Sequence, residues 1–430
     1  MTSEVIAISG FIALFTMMFF RVPIGVAMGI VGVCGFGAVV GVKPAMNLLS
    51  QSPLRTITDF NLTLIPFFIL MGVLATNSGM SRELFRAGNA WFGWMKGGLG
   101  LASVGACGGF AAICGSSVAT AATMTKIAYP EMKKANYSDE VATGVIAAGG
   151  TLGILIPPSV VLAVYGFITE QDVGVLFIAG LVPGLLAVLL YMLAVRFWYG
   201  RSLPEGKAFS WKEGFASLKG VWAVLLLFVC VILAIYLGVV TATEAAATGA
   251  FLTAVIGIAR RRINRRSLLN SLIEALRTSV AIYTILIGAI LFGYFLAITQ
   301  VPQEVASSLL DLGLGRFGTL LLILLLFLIM GCFLDAMAMI ILMVPIVFPI
   351  IQQLGFDPIW FGIVVVMTVE LGLITPPVGM NVFIIDNLTK NVKITTIFKG
   401  VLPFVLVDVL RLALIVAFPA IVLFLPETMS

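Results

Sequence analysis

The segment Leu152-Gly153-Ile154-Leu155-Ile156-Pro157-Pro158-Ser159 returns 219 residues later as Leu371-Gly372-Leu373-Ile374-Thr375-Pro376-Pro377-Val378. Each copy sits inside an apolar run long enough to cross a bilayer. Two consecutive prolines cannot donate to a helix ladder, and the glycines beside them let the backbone leave it. A span interrupted there exposes carbonyls at the end of one half-helix and N–H groups at the start of the next. Inside lipid such groups persist only where they line a cavity or bind something. Interrupted spans at matching positions of two halves are the sequence mark of a transporter's binding site.

Composition agrees with a membrane setting. The chain is 61% apolar and 10% charged over 430 residues, and its mean hydropathy is +1.15. The apolar runs are too many and too long for a soluble core, so an all-α polytopic membrane protein is expected. The net charge of +5 fits cationic cytoplasmic loops better than a nucleic-acid partner. The run from Val5 to Phe20 lacks a basic leader and a small-residue cleavage site, and reads as a retained span. There is no histidine, which removes His-based general bases, Ser/His nucleophile pairs and the usual imidazole metal sites. Cys34, Cys107, Cys114, Cys230 and Cys332 lie singly in apolar segments without a CxxC pair, and read as packed small hydrophobes.

The pattern divides the chain into repeats at 1–200 and 220–430, joined by an interfacial linker at 201–219. Spans are expected at about 4–20, 23–41, 60–77 and 174–199 in the first repeat, and at about 220–239, 242–259, 278–299 and 398–425 in the second. Broken spans fall at about 139–168 and 358–386, preceded by compact regions at 97–130 and 316–351. Outside the prolines, Ile69-Leu70-Met71-Gly72 with Glu83 matches Ile290-Leu291-Phe292-Gly293 with Glu304, Pro130 matches Pro349, and Ser116 matches Asp335.

Each compact region has a polar or small tip near its middle: Gly115-Ser116-Ser117 in one, Gly331 to Asp335 in the other. Arms of about 15 residues reach only about 22 Å, short of a ~30 Å hydrocarbon core, so both read as re-entrant helical hairpins. Five full crossings per repeat then remain, an odd number, and the second repeat must be inverted. With both termini outside, Arg21, Arg82, Arg86, Lys96, Lys126, Lys133, Lys134 and Arg196 lie at the cytoplasmic side. So do Arg201, Lys207, Lys212, Lys219, the arginines at 260–262, 265, 266 and 277, and Lys390, Lys393 and Lys399. Of the 25 basic residues, Lys43, Arg55, Arg316 and Arg411 are then the exceptions, so the positive-inside rule favours this orientation. Between the halves, Trp211, Phe215 and Leu218 suggest a short interfacial helix, with a plain polar linker as the alternative.

The paired hairpins, the Gly-Ser-Ser tip, the two Gly-x-x-x-Pro-Pro breaks and the run Thr241-Ala242-Thr243-Glu244-Ala245-Ala246-Ala247 resemble the large membrane subunit of tripartite ATP-independent periplasmic (TRAP) transporters. The similarity covers essentially the whole chain. It implies sodium-driven uptake of carboxylate-bearing solutes, such as C4-dicarboxylates or sialic acid, across a bacterial inner membrane. It also implies an elevator-like transport domain, a small membrane subunit, and a soluble periplasmic binding protein that delivers the substrate.

Sodium favours hard oxygens. Hydroxyls of Ser116 and Ser117 with carbonyls freed around Gly153, Ile156 and Pro158 are candidates for one cage, and Asp335 with backbone around Gly372, Thr375 and Pro377 for its mirror. An ionisable group near mid-membrane, as Asp335 would be, is a functional candidate by default, and its pairing with Ser116 predicts unequal sites. An anionic substrate would sit between the tips, where helix N-termini present N–H groups, with Thr151, Ser159, Thr368 and Asn381 as lining candidates. Arg411 and Asp408, one turn apart, read as an intrahelical pair or a subunit contact. A stand-alone sodium/carboxylate symporter is the main alternative function. An intramembrane serine protease would need a histidine, which is absent, and an aspartyl protease two intramembrane aspartates in a suitable motif, whereas the sequence near Asp335 reads Gly-Cys-Phe-Leu-Asp; an ion channel would not require paired inverted hairpins.

Overall fold

The structure is a computed structural model that describes residues 3–200, 203–206, 208–311 and 313–429; Arg201 and Lys207 lie outside the described residues. The first repeat runs α1 (Ser3–Phe19), α2 (Ile24–Val40), α3 (Val42–Thr58), α4 (Leu64–Asn77), α5 (Met80–Phe92), α6 (Gly98–Cys114), α7 (Ser117–Lys134), α8 (Asp139–Thr151), α9 (Val160–Thr169) and α10 (Val173–Trp198). The second runs α11 (Trp211–Tyr236), α12 (Ala242–Ala259), α13 (Arg265–Thr299), α14 (Val301–Asp311), α15 (Gly315–Gly331), α16 (Ala336–Gln353), α17 (Pro358–Ile374), α18 (Met380–Leu388), α19 (Ile394–Ala417) and α20 (Ala420–Glu427).

Local sequence sets the helix starts. Ser138 caps α8 by accepting from Val141 N, ahead of Asp139 and Glu140 in the first turn, where carboxylates complement the helix dipole. Asp172 and Asp357 cap α10 and α17, the latter with Pro358 in the first turn. Thr241 and Glu244 form a reciprocal capping box that starts α12, which gives the Thr241–Ala247 run a local structural role.

Four elements differ from the sequence expectation. Residues 42–58, unassigned in the sequence, form α3, bent by 60° from the helix that follows. The matching residues of the second repeat continue straight within the 35-residue α13, so the expected span at 278–299 is only its second half. The bend occurs where Asp59 Oδ1 accepts from Asn61 N at 2.8 Å, a side-chain turn that replaces helix continuation; a 221-residue offset sets Val280 and Ile282 at those positions. Trp211, Phe215 and Leu218 are the first turns of the 26-residue α11 rather than a separate interfacial helix. There Trp211 and Phe215 join Trp91 and Phe209 in an aromatic cluster. The last expected span, 398–425, ends at Ala417, where Phe418 and Pro419 break it before α20.

Helices α6–α7 and α15–α16 form the two expected hairpins, with arms of 17 and 18 residues in each case, slightly longer than the sequence suggested. Their depth is fixed by what the tips touch. Gly115 lies against the Pro158 carbonyl and Gly153 against the Ser116 carbonyl; Gly372 lies against Gly331. Each tip thus meets a break inside a span, with 13 residues before it and 10 after it in the first repeat and 17 and 9 in the second, rather than the end of a span. The hairpins are therefore re-entrant, and five crossings per repeat place the second half upside down relative to the first.

Helix packing separates a frame from a core. Helices α1–α4 and α11–α13 pack among themselves, with α2 and α13 crossing so closely that a side chain at Gly25 would meet the Ile285 backbone. Small residues at such crossings supply the close contact that lipid cannot drive by hydrophobicity. The core is α6–α10 with α15–α19, and α8 meets α19 through Gly144 and Gly400. Helices α5 and α14 bridge the two groups, and Arg260 Nη1 and Nη2 grip Glu83 of α5 at 2.8 and 2.9 Å. Within the core the repeats interleave. The half-helix α9 packs against α16 and α17, and α18 packs against α7 and α8.

Candidate substrate and cation site

The first tip is a tight turn. Gly115 takes the left-handed conformation at φ 62°, which glycine adopts without penalty, and Ser116 caps α7 by accepting from Ala119 N at 3.4 Å. Thr120 donates to the Ser116 carbonyl at 2.8 Å and also touches Gly153. On the facing segment, Ser159 caps α9 through Leu162 N at 3.2 Å and donates to the Ile154 carbonyl at 2.5 Å. Ile156 N donates to the Leu152 carbonyl at 3.0 Å, while its side chain turns toward Gly184 of α10. Thus Ser116, Ser117, Gly153, Pro158 and Ser159 come together at one junction, and all but the half-buried Ser116 are buried.

The second tip is looser and more open. Asp335 caps α16 through Ala338 N at 2.9 Å and is half-buried. Across the junction, Gly379 N donates to the Cys332 carbonyl at 3.4 Å. Thr375 donates to the Leu371 carbonyl at 2.5 Å. Pro376 and Pro377 are exposed, whereas Pro157 and Pro158 are buried. Ser116 and Asp335 therefore do the same local work, each capping a second hairpin arm, but one sits in a closed junction with a neutral oxygen and the other in an open junction with a charge.

The lining candidates separate. Thr151 and Thr368 are buried, and their hydroxyls are engaged by carbonyls of their own helices, Ala148 at 2.8 Å and Val364 at 2.8 Å. Asn381 is fully buried and reaches from α18 into the other repeat, donating through Nδ2 to the Ala147 carbonyl at 3.3 Å. Its Oδ1 has no partner among the described residues. A buried oxygen without a donor is costly, and here it is a hard, neutral oxygen of the kind a sodium ion or a hydrogen-bonding solute satisfies.

Two features do not follow from the sequence reading. Thr120 supports the first tip through the bond described above. More importantly, Glu370 lies fully buried with Arg411 Nη2 at 2.6 Å from its Oε2, so the Arg411–Asp408 pair is part of a larger cluster. The available signal was that Glu370 is the one acidic residue between Asp357 and Asp386, in a strongly apolar run. A crevice of about 1010 Å³ lies elsewhere, at the far end of α9, with Asp59, Glu170, Asp172 and Glu244 among its lining. Its lining holds no Lys or Arg among the described residues, so it offers an anion no counter-charge.

Paired re-entrant hairpins whose tips abut broken helices in two inverted halves define a membrane transport protein. Residues 11–421 match the family described as the tripartite ATP-independent periplasmic transporter, DctM component, and the chain belongs to that family. It is 38% identical over 400 residues to the C4-dicarboxylate TRAP transporter large permease protein DctM of Pseudomonas aeruginosa, covering 90% of this chain and 93% of that one. It is 35% identical to the isethionate TRAP transporter permease protein DctMQ of Oleidesulfovibrio alaskensis, covering 96% of this chain and 65% of that longer protein. The sialic acid permease SiaM of Vibrio cholerae is 32% identical, with 89% and 90% covered. Among solved structures, the Alcanivorax borkumensis YdaH transporter shares the fold at a TM-score of 0.65 and 14% identity, covering 88% of this chain and 90% of that one. The protein is thus the large permease component of a TRAP transporter, not an enzyme.

Proposed function

We propose that this permease imports a carboxylate-bearing organic anion across the bacterial inner membrane, driven by sodium. Sodium ions bind at the two tip-and-break junctions, and the solute binds between them. The observation that carries the reading is the buried, unpartnered Oδ1 of Asn381 beside a closed junction of hydroxyls and carbonyls, matched across the pseudo-twofold by an open junction holding Asp335. The solutes in the relatives' names include C4-dicarboxylates, isethionate and sialic acid, all anions. No Lys or Arg among the described residues pairs with a tip or break residue, so the solute's charge is met by helix N-termini and by bound sodium. A soluble periplasmic protein delivers the solute, a small membrane subunit completes the complex, and the core slides as a unit against the frame, with α5 and α14 as the connecting arms.

Uptake into proteoliposomes tests this. Flux is expected only with a sodium gradient, the small subunit and the loaded binding protein together; strong sodium-driven flux with this chain alone would instead identify a self-sufficient symporter. Within the same assay, Asp335→Ala should raise the sodium concentration for half-maximal uptake by at least about tenfold, more than Ser116→Ala does, because it removes a charge as well as a cap (about 1–3 kcal/mol for a charged group). Equal effects of the two replacements would refute unequal sites.

Orientation is part of the proposal, with both termini and the second hairpin's mouth on the periplasmic side. In a variant lacking the five native cysteines, a single cysteine at Lys133 is expected to react only with reagent supplied from the cytoplasm, and one at Asp357 only from the periplasm. Reversed labelling would overturn the orientation.

A further inference from the structure

Behind the two breaks, five buried polar side chains form a chain across the repeat boundary. Arg411 of α19 places Nη2 2.6 Å from Glu370 Oε2 on α17 and 2.9 Å from Asp408 Oδ1 on its own helix. Asp408 Oδ2 accepts a 2.6 Å hydrogen bond from the hydroxyl of Tyr191 on α10. That hydroxyl lies 3.4 Å from Thr151 Oγ1, at the end of α8. None of the five is more than 2% exposed.

The ends of this chain are equivalent positions of the two repeats. Thr151 and Glu370 are 219 residues apart, the offset of the breaks themselves. Each stands two residues before the glycine, Gly153 or Gly372, on which its hairpin tip rests. The middle is not symmetric, since the same offset puts Leu189 and Met192 where the second repeat has Asp408 and Arg411. Nor is it saturated: Glu370 Oε1, Arg411 Nε and Arg411 Nη1 are buried without a hydrogen-bond partner among the described residues. Charges taken out of water and left partly unpaired are a poor way to hold helices together, because apolar residues of similar volume often serve stability as well or better. Ionisable groups inside membranes are functional candidates by default.

The Thr151 link is the one that can open and close. Both hydroxyl protons are committed elsewhere, Thr151's to the Ala148 carbonyl at 2.8 Å and Tyr191's to Asp408 Oδ2 at 2.6 Å, so the 3.4 Å link between the two oxygens becomes a hydrogen bond only when one hydroxyl turns from its present acceptor. A cation drawing on the carbonyls around Gly153 acts on this same last turn of α8. At the other end, Glu370 is held by Arg411 one turn before the α17 terminus that supplies the second junction.

We propose that Thr151, Tyr191, Asp408, Arg411 and Glu370 are positioning residues that couple the two tip-and-break junctions, so that a cation bound at one raises the affinity of the other. The inference rests on reading those junctions as cation sites. The five residues act through the ends of α8 and α17, which carry the ligating backbone. Coupling of this kind is reciprocal and appears as cooperativity in the occupancy of both sites.

Tyr191→Phe tests it, because the ring stays packed edge-on against Phe404 at 5.4 Å while the hydroxyl that joins the halves and donates to Asp408 is lost. In the assembled transporter, sodium-dependent uptake by the wild type is expected to show a Hill coefficient near two. Tyr191→Phe should bring it toward one and raise half-saturating sodium several-fold, with a lowered thermal midpoint in detergent because Asp408 Oδ2 loses its donor. Thr151→Val cuts the same link from the other side and should not add to Tyr191→Phe in the double variant. Thr253→Val, on α12 in the frame, should change none of these. A cooperative wild type whose Hill coefficient survives both Tyr191→Phe and Thr151→Val overturns the relay while leaving the cation sites standing, as does a wild type that responds to sodium without cooperativity. A wild type indifferent to sodium overturns the underlying reading and the relay with it.

Discussion

Arg411→Met is expected to cost about 3–5 kcal/mol of stability, the range for removing one partner of a buried ion pair. A single nitrogen, Nη2, contacts both Glu370 and Asp408. Without it Asp408 keeps Tyr191, but Glu370 loses its one side-chain partner among the described residues and remains a carboxylate in an apolar interior. The exposed pair Lys134–Glu131, at 2.8 Å, has nearly the same separation but stands in water, so breaking it should cost no more than about 1 kcal/mol. Unfolding of the detergent-solubilised protein measures both. Adding Glu370→Gln to Arg411→Met should recover part of the loss, since a neutral amide is cheaper to bury than an unpaired charge. A measured loss below about 1 kcal/mol for Arg411→Met would contradict the cluster's geometry.

Gly153→Val and Gly372→Val should each abolish transport, by about 100-fold or more, while the protein still reaches the membrane. A side chain at Gly153 would begin 2.6 Å from the Ser116 carbonyl oxygen, and one at Gly372 would begin 2.8 Å from the Gly331 backbone. Neither obstacle is a flexible side-chain end, so the tip must retreat from the break. Displacement of about 1 Å is enough to lose two orders of magnitude at a site that depends on geometry. Gly293→Val provides the comparison, because nothing lies within 4 Å of a side chain there, and uptake should stay within about twofold of wild type. Equal loss at Gly293 would mean that helix propensity, rather than tip contact, explains the phenotype.

How much of the architecture is legible in the residues depends on how far apart the interacting partners lie along the chain. The breaks, the hairpins and the Ser116/Asp335 correspondence stand out because proline, glycine and a 219-residue repetition act locally and leave marks in order. Helix α3 does not, since Pro53 and its polar content hide a helix held by packing on α2 and α13. The length of α13 is hidden by Arg265, Arg266 and Arg277, which read as loop charges but extend the helix beyond its apolar part. Glu370 escapes for a different reason. Its partner lies 41 residues away on another span, and helical periodicity says nothing about such a pairing. The contact between Asn381 and Ala147 is longer still, at 234 residues, although Asn381 itself is conspicuous as a polar residue just beyond the break.

The exchange of half-helices between repeats bears on how the molecule is made. When the ribosome has finished α9, the surfaces it rests on in the mature core, α16 and α17, are still more than 160 residues from being synthesised. Until they arrive, the first half must wait in the bilayer with its proline-bearing segment uncovered. The two halves therefore mature together, and neither junction is finished before nearly the whole chain has been inserted.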